Sequence, residues 1–174
     1  VSKEGLVVWL TGLSGSGKTT ICQAVAKELI RRKLPVEVLD GDDVRKNLTS
    51  DLGFTKTDRD DNVHRIGYVA HLLARNGIIV MVAVISPYYD TRQEVYKTLG
   101  KVIEVHVHAP LSVCEARDPK GLYAKVRAGE LWNFTGIDDP YEPPLTPEIE
   151  CNTAAETIDE SRDKVIKAVL KSIR

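Results

Sequence analysis

Gly12-Leu13-Ser14-Gly15-Ser16-Gly17-Lys18-Thr19 fits the pattern G-x-x-x-x-G-K-[ST] at every fixed position. Its surroundings constrain the fold further. The apolar run Leu6 to Leu10 precedes it, and from Lys18 onward Ile21, Val25 and Leu29 recur every fourth residue. A buried strand, a Gly-rich turn and an amphipathic helix together point backbone N–H groups inward at an anion, with the helix dipole behind them. Lys18 can reach β- and γ-phosphates, and Thr19 can ligate Mg²⁺. A chance Gly-rich turn would not carry a strand and a helix on its two sides. The motif implies a nucleoside triphosphate and leaves the acceptor open.

The rest of the chain alternates in the same way. Val36 to Leu39 reads as a second strand, ending in Asp40-Gly41-Asp42. Val63, Ile66, Ala70 and Leu73 define a helix over 58–76, with Gly77 at the cap position. Ile78 to Ile85 is an unbroken apolar run of eight residues, too short for a membrane span of roughly twenty and suited to a fully buried strand. A short helix over 91–99, a strand over 102–107, a helix from Leu111 to Arg117, a last strand over 148–152 and a helix over 156–173 complete the chain. Strands separated by helices predict parallel pairing with right-handed crossovers, an α/β three-layer sandwich with about five strands. Ligands in such sheets sit beyond the carboxyl ends of the strands. The turns after Leu10, Leu39, Ile85 and Val107 are therefore expected on one rim.

Composition narrows the partners. With 24 basic and 25 acidic residues in 174, the net charge of −1 offers no broad positive field for nucleic acid. One domain over residues 1–174 is expected at this length. Cys22, Cys114 and Cys151 are odd in number and widely spaced, which fits buried thiols in a reducing cytoplasm. No long apolar stretch follows Lys3, so no signal peptide is expected. The sequence begins at Val1, consistent with a processed or trimmed chain or a piece of a longer one.

Several residues stand out on the predicted rim. Asp40 and Asp42 suit a general base or an outer-sphere metal contact, or Asp42 caps a helix starting near Val44. Arg59, Asn62 and Arg65 spiral along one helix through an arc of about 120°. Arg59 lies in line with the apolar stripe and needs a partner: an anionic ligand, or a nearby acid such as Asp58, Asp60 or Asp61. Ser86 closes the third strand and suits a hydrogen-bonding role better than a nucleophile's, since no base is placed beside it. His106 and His108 alternate within a strand and are expected on one face. Residues 118–147 carry five of the eight prolines and three glycines, the composition of a lid or binding loop. Arg117, Lys120, Lys125 and Arg127 cluster there, either as cations for phosphoryl transfer or as a solvated helix face. Phe54 and Phe134, both in predicted loops, could sandwich a base or anchor the loops.

The motifs WLTGLSGSGKTT (9–20), LDGDDVR (39–45), LGF (52–54), RDDNVHRIG (59–67), ISPY (85–88), RDPKGLYAKVR (117–127) and FTGIDDPYEPP (134–144), in this order, make the sequence similar to adenylyl-sulfate kinases along essentially its whole length. Val126 stands where Ala is usual, and Asp43 is a variable position. The resemblance implies a P-loop nucleoside triphosphate hydrolase fold with a lid over about 117–147. It implies transfer of the ATP γ-phosphoryl group to the 3′-hydroxyl of adenosine 5′-phosphosulfate. Gly12, Ser14, Gly15, Ser16, Gly17, Lys18, Thr19 and Thr20 would hold ATP with Mg²⁺, and Arg117 and Thr153 would lie by its adenine. Asp42 would accept the hydroxyl proton, with Asp40 assisting at the metal. Arg45, Arg59, Asn62 and Arg65 would bind the phosphosulfate and ribose side of the acceptor. Phe54 and Phe134 would stack on its adenine, and Ile85, Ser86, Lys120, Leu122, Gly136 and Ile137 would complete the pocket. Lys120 would also neutralise charge developing on transfer. The family further implies a cytoplasmic homodimer, free-standing or joined to an ATP sulfurylase, with no nucleic-acid or membrane partner.

Three rival readings remain at this level. A kinase for another small hydroxyl acceptor would not need Phe54 and Phe134. A non-catalytic nucleotide-binding regulator of a sulfurylase would not need Lys18, Thr19, Asp40 and Asp42 together. A GTPase would need an NKxD-type base-reading motif, which is missing from the sequence.

Overall fold

The computed structural model describes residues 4–173; the readings of Val1 and Lys3 lie outside them. Five strands form one parallel sheet in the order β2-β3-β1-β4-β5. The strands are β1 (Leu6–Thr11), β2 (Val36–Asp40), β3 (Ile79–Ala83), β4 (Val102–His108) and β5 (Ile149–Asn152). The helices are α1 (Lys18–Arg31), α2 (Gly41–Asn47), α3 (Lys56–Ala74), α4 (Tyr89–Tyr96), α5 (Leu111–Arg117), α6 (Leu122–Arg127) and α7 (Ile158–Ser172). All pairings are parallel, so every strand ends on the same edge of the sheet, as the alternation predicts.

Two apolar layers flank the sheet. On one face Val8, Leu10, Met81, Val105 and Val107 pack against Ile21, Val25 and Leu29 of α1 and Val165, Ile166 and Val169 of α7. On the other, Val7, Trp9, Val80 and Val82 meet Val63, Ile66 and Ala70 of α3 and Val95 of α4. Each fully buried aliphatic side chain contributes about 1.5–3 kcal/mol over an exposed one. The central strands β1 and β3 are buried at every residue, which is why neither alternates in sequence. Cys22, Cys114 and Cys151 are buried free thiols. Among the described residues no helix is long and apolar enough to cross a membrane.

Element ends depart from the sequence reading for identifiable reasons. Helix α3 starts at Lys56 rather than Asp58, because Thr55 caps it and Asp58 closes a capping box. Helix α2 starts at Gly41, not near Val44, and its cap is Asp40, not Asp42. Strand β3 stops at Ala83, two residues before Ile85; Ser86 adopts a left-handed φ of 45°, which no strand can continue through. Helix α4 spans Tyr89–Tyr96 rather than 91–99, since Tyr88 already has the extended backbone of a cap. The Pro- and Gly-rich segment is not irregular throughout. Asp118 accepts hydrogen bonds from the N–H groups of Tyr123 and Ala124, both at 3.0 Å, and so starts α6 inside it.

Candidate functional site

The phosphate loop joins β1 to α1. A Cβ at Gly12 would sit 2.0 Å from the Val107 carbonyl oxygen, so only glycine lets the loop cross the end of β4. Gly17, with φ 103°, supplies the left-handed turn into α1. Five successive carbonyls of the loop are then engaged by side chains. Lys18 Nζ donates to Gly12 O and Leu13 O, each at 2.8 Å. Tyr123 Oη donates to Ser14 O at 2.8 Å, Arg117 Nη1 to Gly15 O at 3.2 Å, and Thr153 Oγ1 to Ser16 O at 2.7 Å. With these carbonyls engaged, the loop N–H groups other than that of Ser16, which donates to Leu13 O at 3.2 Å, are left for an anion. Ser16 Oγ is buried and has no hydrogen-bond partner. Burial, and then the neighbouring Lys120 charge, push the Lys18 ammonium down to about 7.

Beside the loop, Thr19 Oγ1 donates to Asp40 Oδ2 at 2.7 Å, and Asp40 Oδ1 accepts the Asp42 N–H at 3.1 Å. One carboxylate thus caps α2 and touches the phosphate loop. This leaves the Asp42 carboxylate free of the capping duty. It is exposed on the rim and paired with Lys120 Nζ at 2.6 Å. The pair brings the first turn of α2 and the lid together across 78 residues of chain. Arg117 lies against Thr153, donating to its Oγ1 at 2.9 Å and its carbonyl at 2.8 Å. Thr20 is exposed in the first turn of α1, and Lys125 is exposed on α6. Arg127 pairs with Glu115.

The side of the rim beyond Asp42 is held by arginines. Arg45 Nη1 donates to Leu52 O and Gly53 O, both at 3.0 Å, and its guanidinium lies 4.7 Å from the centroid of Phe54. Arg65 forms a two-pronged pair with Asp51 at 2.7 and 2.8 Å, and Asn62 Oδ1 accepts from Thr49 Oγ1 at 2.8 Å. Arg59 is buried, as the stripe requires, but none of the acids beside it in sequence is its partner. Asp58 is spent on the α3 cap, and Asp60 on Lys56 and Thr91. Arg59 instead pairs with Asp139 of the lid at 3.0 Å, donates to Phe54 O at 2.8 Å, and bonds Thr135 Oγ1 and Asn133 O. It joins the loops that carry Phe54 and Phe134.

The two phenylalanines differ. Phe54 is exposed, with one face under Arg45. Phe134 is buried and meets Tyr123 edge-on at 4.9 Å. Phe134, Tyr123 and Cys114 form a small core with Leu13, Leu122 and Ile137, so the lid packs on the phosphate loop itself. Gly136 passes so close to Leu13 that a Cβ there would lie 2.7 Å from its side chain. Ile85 O accepts from Thr11 Oγ1 at 2.6 Å, and Ser86 Oγ accepts from Trp9 Nε1 at 3.0 Å. Ser86 is therefore a hydrogen-bonding residue of the rim and not an activated nucleophile. His106 and His108 do share a face, stacked at 4.8 Å, and burial lowers His106 to about 4. Among the described residues no group of three His, Cys, Asp or Glu is placed to hold a metal ion.

Sequence reasoning missed Asp118, Tyr123, Asp139 and Thr153's contact with the loop backbone. Asp118 carries a legible signal, since an acid before Pro119 and a following helix is a capping pattern. The others act through contacts across 36 or more residues, for which a single sequence holds no signal.

Comparison with known proteins points to one family. The sequence pattern of the adenylylsulphate kinase family matches residues 4–152. An adenylyl-sulfate kinase of Rippkaea orientalis is 61% identical over 165 residues, covering 95% of this chain and 91% of the relative. One of Gloeothece citriformis is 57% identical over 166 residues, covering 95% and 94%. The solved structure of a Mycobacterium tuberculosis APS kinase in complex with AMPPNP and APS superposes with a TM-score of 0.92 at 44% identity, covering 97% of this chain and 98% of that one. A gluconokinase of Sinorhizobium meliloti, 16% identical with a TM-score of 0.61, shares the fold alone. With a family match across most of its length and relatives this similar, the chain belongs to the adenylylsulphate kinase family.

Proposed function

We infer that this protein is an adenylyl-sulfate kinase that transfers the γ-phosphoryl group of ATP to the 3′-hydroxyl of adenosine 5′-phosphosulfate. The observation that carries the reading is the Asp42–Lys120 pair, set beside the Thr19–Asp40 contact at the mouth of the phosphate loop. A base and a mobile-side-chain cation meet there, next to the place where a γ-phosphate would lie. In the reaction the 3′-oxygen bonds to the γ-phosphorus, the bond from that phosphorus to the β–γ bridging oxygen breaks, and ADP leaves. Asp42 takes the hydroxyl proton. Lys18 and the loop N–H groups hold the phosphates, and Lys120 offsets charge on the transferring group.

Thr19 Oγ1 and Asp40 offer hard oxygen donors of the kind Mg²⁺ takes, Thr19 directly and Asp40 through water. Mg²⁺ bound there would neutralise charge on the β- and γ-oxygens. On the acceptor side, Phe54 presents its uncovered face to the adenine, opposite the lid that carries Phe134. Arg45, Asn62 and Arg65 line the phosphosulfate and ribose side, while Arg59 fixes the two loops. Residues 1–174 act as one domain in the cytoplasm. Sedimentation of the chain, alone and with an ATP sulfurylase, checks the homodimer and the sulfurylase association implied by the family.

The test is to mix the protein with Mg·ATP and adenylyl sulfate and follow 3′-phosphoadenylyl sulfate and ADP. Wild type should form both in equal amounts. Asp42→Asn should lower kcat by about a hundredfold or more, the scale of a lost general base. Tight binding of both nucleotides without product would sink the reading and favour a regulatory module.

A further inference from the structure

Arg92 has no solvent exposure, and neither the phosphate loop nor the proposed acceptor pocket includes it. Its three nitrogens serve three different segments. Nε pairs with Glu104 of β4 at 3.2 Å, Nη1 donates to Ser86 O at 2.7 Å, and Nη2 donates to Glu142 O at 2.8 Å. Glu104 Oε1 also accepts from Tyr96 Oη at 2.8 Å. Burial and the Glu104 carboxylate hold the Tyr96 phenol far above its ordinary value, so it remains a donor.

The other bonds of Glu142 converge on the same place. Its N–H donates to Pro87 O at 2.8 Å, and its carboxylate accepts the Tyr89 N–H at 2.7 Å. One residue earlier, Tyr141 Oη meets Thr11 Oγ1 at 3.0 Å. The trailing end of the lid is thereby fastened to the loop over 86–89. Ser86 holds a left-handed backbone, which a non-glycine residue keeps only where its surroundings enforce it. The bonds that enforce it are Trp9 Nε1 on its hydroxyl and Arg92 on its carbonyl.

A buried ion pair is seldom more stabilising than an apolar pair of equal volume, so cohesion alone does not explain an arginine here. A planar fork with fixed donor directions does explain it, because three groups from three segments must keep one geometry. We propose that Arg92 is a positioning residue for the acceptor side of the transfer. It fixes Ser86 and the lid's exit at Glu142 to each other, and so sets the distance between the rim after β3 and the lid segment carrying Gly136 and Ile137. Its effect on acceptor binding rests on the proposed kinase function. Its effect on the lid does not.

The experiment uses the full chain with Arg92→Lys, and with Arg92→Met combined with Glu104→Gln, which leaves no stranded carboxylate in the core. Amide hydrogen exchange is read first, without ligands. Exchange should quicken roughly tenfold or more at Tyr89, Gly136 and Glu142, the scale of a lost hydrogen bond to a charged group. Amides of β1 and α1 should keep wild-type rates. With substrates, KM for adenylyl sulfate should rise roughly tenfold while KM for ATP changes less than about twofold. Arg92→Lys, which keeps the charge but not the fork, should fall between. Unchanged exchange at those three amides overturns the proposal. So does a uniform loss of protection, or an equal rise in both KM values, because each marks a residue that only holds the fold. Should wild type make no 3′-phosphoadenylyl sulfate, the kinase reading fails, and the exchange data still judge Arg92.

Discussion

The phosphate loop and the acceptor-side loops are both irregular backbone held in place by side-chain donors on carbonyl oxygens, yet the holding has a different reach. Around the phosphate loop each side chain holds the loop at one place: Lys18 takes two adjacent carbonyls from the loop's own end, and Tyr123, Arg117 and Thr153 each take one further loop carbonyl from 102 to 137 residues away. The loop's turns rest on its own glycines and Lys18, and the distant donors add one loop carbonyl each. On the acceptor side, Arg59 takes carbonyls at Phe54 and Asn133, and Arg92 takes carbonyls at Ser86 and Glu142. Each of these arginines joins segments 50 or more residues apart, to one another or to its own helix. Nucleotide binding is thus built on a preformed element. The acceptor-side loops are tied to one another through contacts with residues of the lid.

The sharpest way to break this contrast is Arg59→Met. The change leaves Asp139 without its cation and frees the Phe54 and Asn133 carbonyls. Removing one partner of a mostly buried pair costs about 3 kcal/mol or more. Denaturant unfolding should show that loss, and KM for adenylyl sulfate should climb far more than KM for ATP. A matched rise in both would mean that the two regions are not separately held.

The same difference in reach decided what the sequence disclosed. The phosphate loop, its strand and its helix were legible because a contiguous pattern encodes them. The rim was legible because parallel strands must end together. Arg59 was legible as a buried charge needing a partner, but Asp139 was not, because it lies 80 positions further along the chain and Asp58, Asp60 and Asp61 lay closer. Helix α6 hid among prolines and glycines because its six residues are too few to show a period. Asp40 and Asp42 were legible as a pair, but which of them capped α2 depended on where the helix began, the least readable feature of any helix. Phe134 anchors the lid in a small core, one of the two roles that the sequence offered for it.

A smaller effect separates the regions by pH. In the ligand-free loop Lys18 sits at about 7, below its usual range, because burial disfavours the charged form. Phosphate oxygens favour that form, so the nucleotide complex keeps the proton to much higher pH. Above pH 7 the free protein must take up a proton to bind, and affinity should fall by up to about tenfold per pH unit. Below pH 7 this contribution levels off. The sign for folding is the reverse: between about 7 and 10.5 the unfolded chain binds more protons at Lys18, so the empty protein gains stability there as pH rises. Titration calorimetry of an ATP analogue at pH 8 in buffers of different ionisation enthalpy should show uptake of about nine-tenths of a proton. Adenylyl sulfate binding should show none from this source. Buffer-independent enthalpy for the ATP analogue would place Lys18 at an ordinary value and remove the effect.

Tyr123→Phe gives the smallest expected change and the finest cut. Tyr123 lies where the two regions meet: its ring packs on Phe134, and its hydroxyl donates to Ser14 O. Phenylalanine keeps the ring and removes only the bond to the phosphate loop. One neutral hydrogen bond is worth about 1 kcal/mol, and Ser14 O is free to find water because the loop is half-exposed there. A KM for ATP raised by about fivefold, with KM for adenylyl sulfate unchanged, would mean that the lid tunes the phosphate loop through its backbone. The opposite pattern would put Tyr123 with the arginines, as part of the acceptor side, and would show that packing on Phe134 depends on the hydroxyl's anchor as well as on the ring.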